Sequence, residues 1–242
     1  MSKHVLVVAS HPDDEVLGCG GTIARHVAGG DTVTVLFMTY GVGSRRENGT
    51  EEDHAAASSN LIAEIERREA AANQAAEILG HKWHAVAQPD RAQPFSDQRM
   101  DDYGMLALAQ AVEIAAANLP PPHIIYTHHM GDLNLDHQLT ARAVLTAFRP
   151  VPGSTVEAIY GFEVPSSTEW GLHPFVPDCF NEIDRETWEK KSLALAAYAM
   201  EMKGSPHARS FEAVLDLAGH RGKSVGVNRA ESFITYRKVN YA

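Results

Sequence analysis

Short apolar runs alternate with amphipathic stretches along the chain. Residues 5–9 and 33–39 are rich in β-branched and aliphatic side chains, which is typical of buried strands. Because a helical pattern separates them, they predict a βαβ unit with parallel strands and a right-handed crossover. Further runs predict strands at 83–87, 123–127, 156–164, 179–183 and 231–239. This alternation predicts an α/β fold, a Rossmann-like three-layer sandwich with a mostly parallel central sheet.

The longest amphipathic stretch precedes residue 80. Its face recurs at intervals of three and four residues, so it predicts a helix that begins at 58–60 and ends at Gly80. The members of this face are Leu61, Ile65, Arg68, Ala72, Ala75 and Leu79. Later helices are predicted from 101–102, after the polar residues 128–137 up to Pro150, and after Asp184, and a final helix is predicted to include Phe211 and Ala218. The chain shows no internal repeat and no linker, so residues 1–242 are predicted to form a single domain.

A polar cluster follows the first predicted strand, with the sequence His11-Pro12-Asp13-Asp14-Glu15. Proline cannot extend a strand into a sheet interior, so the strand ends here. The glycines at 18, 20 and 21 would then turn the backbone into a helix that includes residues 22–25. Three adjacent acids repel one another unless a cation is present, so a metal site is one interpretation and a solvated acidic loop is the other.

A second polar cluster, residues 128–137, follows the predicted strand at 123–127 and has the sequence HHMGDLNLDH. It repeats the placement of the first cluster, between the end of a strand and the start of a helix. Ligands bind at the carboxyl ends of the strands in open α/β sheets. The two clusters can therefore converge on a single metal, and mixed nitrogen and oxygen ligands suit zinc.

Composition limits the function further. The formal charge of −10 argues against non-specific binding to nucleic acid or to an anionic membrane, although a local basic pocket could still take an anionic substrate. Two cysteines provide no disulfide framework. No signal peptide and no long apolar run is visible, which predicts a cytoplasmic protein with no transmembrane segment.

Together, the two clusters resemble the PIG-L/LmbE-like family of zinc-dependent de-N-acetylases. The resemblance implies that Zn²⁺ is held by His11, Asp14 and His137. It implies that Asp13 is the general base, which takes a proton from a water on the zinc as that water attacks an N-acetyl carbonyl. Asp136 would orient His137 or a neighbour. Glu15 is expected to brace the turn through hydrogen bonds.

One position departs from the family pattern. Many members have a histidine three residues before the metal histidine, and this chain has Asn134 there. An amide can donate a hydrogen bond to an oxyanion but carries no positive charge. Either Asn134 takes this role or another histidine does, with His129 preferred over His128.

The resemblance also implies a small acetamido sugar as the substrate, of the N-acetylglucosamine type. Candidate contacts to its hydroxyl or phosphate groups are Arg45, Arg68, His207 and Arg209, and the aromatic ring of Trp170 could stack on a sugar. For the arginines a plain surface role is the alternative, and for Trp170 a role as loop anchor. A homo-oligomer is left open.

Three other functions compete with this hypothesis. The glycines after the first strand superficially suggest a nucleotide-binding module, but the acids before them would repel a pyrophosphate. A non-catalytic sugar-binding or scaffold protein would have no need of Asp13. A hydrolase acting on another small N-acyl compound stays open.

Overall fold

The computed structural model describes residues 2–42, 51–171 and 173–240, with residues 51–59 described by their backbone alone. The strands are β1 (His4–Ala9), β2 (Thr32–Phe37), β3 (Lys82–Ala85), β4 (Ile124–His128), β5 (Ala158–Phe162), β6 (Cys179–Glu182) and β7 (Ala230–Lys238). The helices are α1 (Asp14–Ala28), α2 (Glu51–Leu79), α3 (Met105–Ala117), α4 (Leu135–Ala147), α5 (Arg185–Ala197) and α6 (Phe211–Lys223). Short 3₁₀ helices span Met100–Asp102 and Thr168–Trp170.

The strands form one seven-stranded sheet in the order β3-β2-β1-β4-β5-β7-β6. The first five pair in parallel, whereas β7 pairs antiparallel with both β5 and β6. Successive side chains of β1 point to opposite faces. Val5 and Val7 belong to one apolar core with Leu79 of α2 and Leu195 of α5. Leu6 and Val8 point the other way and belong to a second core with residues of α3 and α4. The predicted three-layer α/β architecture is therefore confirmed.

The pairing of β1 with β4 brings the two polar clusters together. These central neighbours run parallel, with Val5 opposite Ile124 and Val7 opposite Tyr126. Their carboxyl ends therefore lie side by side. The first turn of α1 follows one strand and the first turn of α4 follows the other, as the sequence predicts.

Two predicted helix starts are wrong. Helix α1 begins at Asp14 rather than after the glycines, and α2 begins at Glu51 rather than at 58–60. The α1 glycines permit close packing instead of a turn. A Cβ at Gly18 would overlap the ring of Phe162, and one at Gly21 would lie 2.7 Å from Ile183.

A buried ion pair stabilises a kink in α1 at Cys19, where φ is −149° and ψ is 22°. Glu231 accepts hydrogen bonds from the backbone N–H groups of Gly21 (2.9 Å) and Thr22 (2.7 Å). Lys191 donates to the Leu17 carbonyl (2.9 Å) and to Glu231 (2.6 Å). The pair thus satisfies backbone groups that the kink releases from the helix.

No helix in the described ranges is both long enough and apolar enough to cross a membrane.

Candidate metal centre

Three buried side chains from the two clusters meet at the carboxyl edge of the sheet. Asp14 Oδ2 lies 3.0 Å from His11 Nδ1 and 3.3 Å from His137 Nε2. His11 comes from the turn after β1, Asp14 from the first turn of α1 and His137 from the first turn of α4. One ligand atom from each residue lies within 4.8 Å of the others, so the three could hold one metal ion.

Unsatisfied polar atoms show that these residues suit a cation. Asp14 Oδ1 and His137 Nε2 are buried and have no hydrogen-bond partner among the described residues. Buried polar atoms are nearly always hydrogen-bonded, so such orphans need a reason. Two imidazoles and one carboxylate are a donor set of the kind that catalytic zinc sites use, with one coordination position left for water.

The other nitrogen of His137 is held by Asp132, a residue to which the sequence analysis assigned no role. Asp132 Oδ1 lies 3.1 Å from His137 Nδ1. Its second oxygen accepts hydrogen bonds from Ser167 Oγ (2.9 Å) and Thr168 Oγ1 (2.5 Å). Burial would raise the pKa of Asp132, but the hydrogen bond and charge of His137, with the hydroxyl of Thr168, hold the pKa at about 2. Asp132 therefore leaves Nε2 of His137 facing Asp14.

Asp136 contacts His11 rather than His137. Its Oδ2 lies 3.3 Å from His11 Nε2, and Asp97 Oδ1 lies 3.0 Å from the same nitrogen. The resemblance implies that Asp136 orients His137 or a neighbour, whereas Asp97, in the loop before the 3₁₀ helix Met100–Asp102, belongs to neither motif. A single acid in a polar loop carries no sequence signal of this contact.

Asp13 lies beside the three residues in a strained backbone conformation. Its φ is +127°, a value that residues other than glycine rarely adopt. Its N–H donates to Glu15 Oε2 (3.0 Å), which confirms Glu15 as a brace of the turn. Backbone outliers cluster at active sites, where the surrounding structure maintains them. Burial raises the pKa of the Asp13 carboxyl to about 6, although Arg209 lowers it.

Two predicted substrate-binding arginines surround Asp13. Arg209 Nη1 donates to Asp13 Oδ2 (3.1 Å), and its Nε donates to Ser166 Oγ (2.8 Å). Arg68 Nη1 donates to the Pro12 carbonyl (3.0 Å) and lies 4.0 Å from Asp13 Oδ2. Both guanidinium groups therefore reach the site, where they contact the acidic turn itself.

Asn134 caps helix α4. Its Oδ1 accepts a hydrogen bond from the N–H of Asp136 at 2.9 Å, the arrangement that makes asparagine a favoured N-cap. Nearby, His128 Nε2 accepts from the N–H of Ser10 (2.9 Å), so its proton lies on Nδ1. His129 Nε2 lies 3.1 Å from the His173 carbonyl, to which it donates. The Nδ1 atoms of both histidines are buried and have no partner in the described part of the chain.

The remaining candidates lie outside the buried centre. Trp170 is 73% exposed, so it is no buried loop anchor. Its backbone N–H donates to the carbonyl of Ser167, and the hydroxyl of Ser167 donates to Asp132. His207 is exposed and accepts from the N–H of Arg209 (3.0 Å). Arg45 lies outside the described residues.

A mostly parallel α/β sheet with a His/Asp cluster that could hold a metal ion at its carboxyl edge is the arrangement to which the sequence motifs point. The family model described as PIG-L: GlcNAc-PI de-N-acetylase matches residues 6–148, more than half of the chain. The chain belongs to this family. The match confirms the predicted family and the predicted class of enzyme, an N-deacetylase that hydrolyses amide bonds.

Relatives of similar length include two different enzyme types. The chain is 28% identical over 198 residues to a probable N-acetyl-alpha-D-glucosaminyl L-malate deacetylase from Bacillus cereus, covering 82% of this chain and 83% of the relative. It is 27% identical over 248 residues to a 4-oxalmesaconate hydratase from Pseudomonas putida, covering 96% and 86%. Among solved structures, N,N'-diacetylchitobiose deacetylase from Pyrococcus horikoshii aligns with a TM-score of 0.69 and 19% identity over 97% of this chain and 84% of its own, a likeness of fold.

Proposed function

We propose that the protein is a zinc-dependent deacetylase that removes the N-acetyl group from an N-acetylglucosamine-type sugar conjugate. One observation carries the proposal: the unpartnered buried atoms of Asp14 and His137 lie beside a strained acid, Asp13. An ion-binding set next to a proton acceptor is what amide hydrolysis by water requires.

Each residue has a separate task in this reaction. His11, Asp14 and His137 would hold zinc, which supplies a water of lowered pKa and polarises the carbonyl. Asp13 accepts the proton of the attacking water, and it or a nearby histidine returns a proton to the departing amine. Arg209 fixes the Asp13 carboxylate through its 3.1 Å hydrogen bond.

A histidine of the second cluster stabilises the oxyanion. The nitrogen of His128 that lies nearest the ligand set is Nε2, 3.6 Å from Asp14 Oδ2, and it accepts a hydrogen bond from Ser10, so it has no proton to donate there. His129 can donate from Nδ1 only when both of its nitrogens are protonated, because Nε2 is used by His173. The Asn134 side chain is engaged as a helix cap through its oxygen, so only its NH₂ group could contribute.

The surroundings of the site support a sugar substrate. Trp170 presents an exposed ring in the segment that contacts Asp132, and rings of this kind stack on sugar faces. His207 and Arg209 share a backbone-linked turn and offer hydrogen-bonding groups. Arg68 acts here mainly on the acidic turn, and Arg45 is retained as a substrate contact from the sequence alone.

A hydratase is the second candidate, because a hydratase matches 96% of the chain. Addition of water to a carbon–carbon double bond would use the same metal and the same proton acceptor. The two reactions differ in their products, since only deacetylation releases acetate.

The test is acetate release by zinc-loaded protein, with and without a chelator. The panel contains N-acetylglucosamine, its inositol and nucleotide conjugates, short chitin oligomers and a second N-acyl amine. It also contains 4-oxalmesaconate, the unsaturated tricarboxylate in the name of the hydratase relative. We expect chelator-sensitive acetate release from one sugar class, with an equal amount of free amine. Loss of the ultraviolet absorbance of 4-oxalmesaconate without acetate release from any sugar would contradict the proposal and favour the hydratase.

A further inference from the structure

We propose that Asp97 is a positioning residue for the metal site, which holds Nε2 of His11 so that Nδ1 is presented to the ion. The inference deepens the proposed function, because it rests on the same ligand set. It assigns a role to a residue that neither motif contains.

The two nitrogens of His11 face different groups. Nδ1 lies 3.0 Å from Asp14 Oδ2, the oxygen that also lies 3.3 Å from His137 Nε2. Nε2 lies on the other side of the ring, 3.0 Å from Asp97 Oδ1 and 3.3 Å from Asp136 Oδ2. Both nitrogens therefore face carboxylate oxygens, which can only accept hydrogen bonds. An ion that takes the place of the proton on Nδ1 leaves the remaining ring proton on Nε2, where Asp97 and Asp136 accept it. The lone pair of Nδ1 is then directed at the centre of the ligand set.

His137 has the same arrangement with the roles of its two ring nitrogens exchanged. Its Nδ1 is held by Asp132 at 3.1 Å, which leaves Nε2 at the centre. Histidines that bind metals usually donate their second N–H to a carboxylate or carbonyl, which fixes both the tautomer and the orientation of the ring. Asp97 therefore corresponds to Asp132, and each of the two metal histidines has its own acid.

Asp136 supports Asp97 by anchoring the loop that carries it. Its Oδ2 accepts a hydrogen bond from the N–H of Gln98 (2.6 Å), and its Oδ1 accepts from the N–H of Met100 (3.4 Å). Gln98 has a φ of +51°, which turns the backbone directly after Asp97. Upstream, Phe95 donates its N–H to the Met38 carbonyl (3.0 Å), which ties the loop to the end of β2. These backbone contacts hold the loop so that the Asp97 carboxylate stays beside Nε2 of His11.

The same three residues, His11, Asp97 and Asp136, could instead hold a second ion. Two observations favour the positioning role. Both oxygens of Asp136 already accept backbone hydrogen bonds, and an ion on Nε2 together with one on Nδ1 would require His11 to lose its last ring proton. A second bound ion is an outcome that the experiment can detect.

The experiment measures zinc affinity by competition with a chromogenic chelator, and zinc stoichiometry, for Asp97→Ala and Asp97→Asn. The matched control is Asp90→Asn, because Asp90 lies in the same loop with a side chain that is 75% exposed. We expect a 10- to 100-fold loss of zinc affinity in Asp97→Ala, as is usual when such a partner is removed. We expect a smaller loss in Asp97→Asn, whose amide oxygen can still accept from Nε2, and none in the control.

Two further readouts separate positioning from a general structural role. Thermal unfolding of the metal-free proteins should show that both variants still unfold in one cooperative transition, at a lower temperature because the buried contact to His11 is weakened or lost. The visible spectrum of the cobalt-substituted protein should change in Asp97→Ala alone. Unchanged affinity in Asp97→Ala would overturn the inference, as would a second zinc that this variant loses while the first keeps its affinity. Because no readout depends on turnover, failure of the acetate assay would leave this result independent.

Discussion

Replacement of Asp13 by asparagine is expected to lower kcat by about 10²- to 10⁴-fold, the usual contribution of a general base, while zinc stays bound. Asparagine has nearly the same shape, and its side-chain oxygen can still accept the hydrogen bond of Arg209. It cannot take a proton from water. The loss therefore isolates proton transfer from the geometry of the site.

The Asp13→Asn measurement combines steady-state acetate release with the zinc content of the purified variant. Asp31→Asn is the control, since Asp31 is a partly buried acid that pairs with His26 and precedes β2, at the opposite edge of the sheet from the site. A kcat near that of the wild type in Asp13→Asn would refute the general-base role. Loss of zinc together with activity would make Asp13 part of the ion-binding set.

Replacement of His137 by alanine is expected to remove most of the zinc. The residue contributes Nε2 to the centre of the site, and its ring stacks on His128 with centroids 4.0 Å apart. Losing a ligand should reduce affinity by more than the 10- to 100-fold that follows loss of a hydrogen-bonding partner. The zinc content of purified protein and chelator competition measure this directly.

Two comparisons keep the His137→Ala result interpretable. His220→Ala is the control, because His220 is exposed on α6. Asp132→Asn leaves the His137 ring in place, and its zinc affinity should fall by no more than the 10- to 100-fold that follows loss of a hydrogen-bonding partner. This variant therefore tests the site even if His137→Ala, which leaves a larger cavity, fails to fold. Full zinc content in a folded His137→Ala protein would contradict the ligand assignment.

The layers of the fold and the edge that carries the site were predictable from periodicity. Strands β1 and β4 are short apolar runs that end in polar clusters, and parallel strands put such ends on one edge. Helix boundaries were less predictable, because tertiary packing determines them. Glycines 18 and 21 resemble a turn in the sequence, yet their partners Phe162 and Ile183 require small residues inside a helix.

The candidate ligands belong to two sequence motifs and could be proposed from them, as could Asp136 as an orienting acid, whereas the pairing of each acid with its histidine could not. Asp132 and Asp136 lie four residues apart in one motif, and only the folded chain shows that each serves a different histidine. Asp97 contacts His11 from a loop 86 positions further along the sequence. Asn134, conspicuous as a departure from the family pattern, caps a helix, which is a local role that its position before α4 could have predicted.

The location of zinc in a crystal of the metal-loaded protein, read from anomalous scattering at the zinc edge, is the most direct test of the proposed centre. We expect a single peak at about 2.0–2.2 Å from His11 Nδ1, His137 Nε2 and a carboxylate oxygen of Asp14, the distances usual for zinc. A peak on the other side of the His11 ring, between Nε2, Asp97 and Asp136, would contradict the assignment of the ligands and of the positioning acid together.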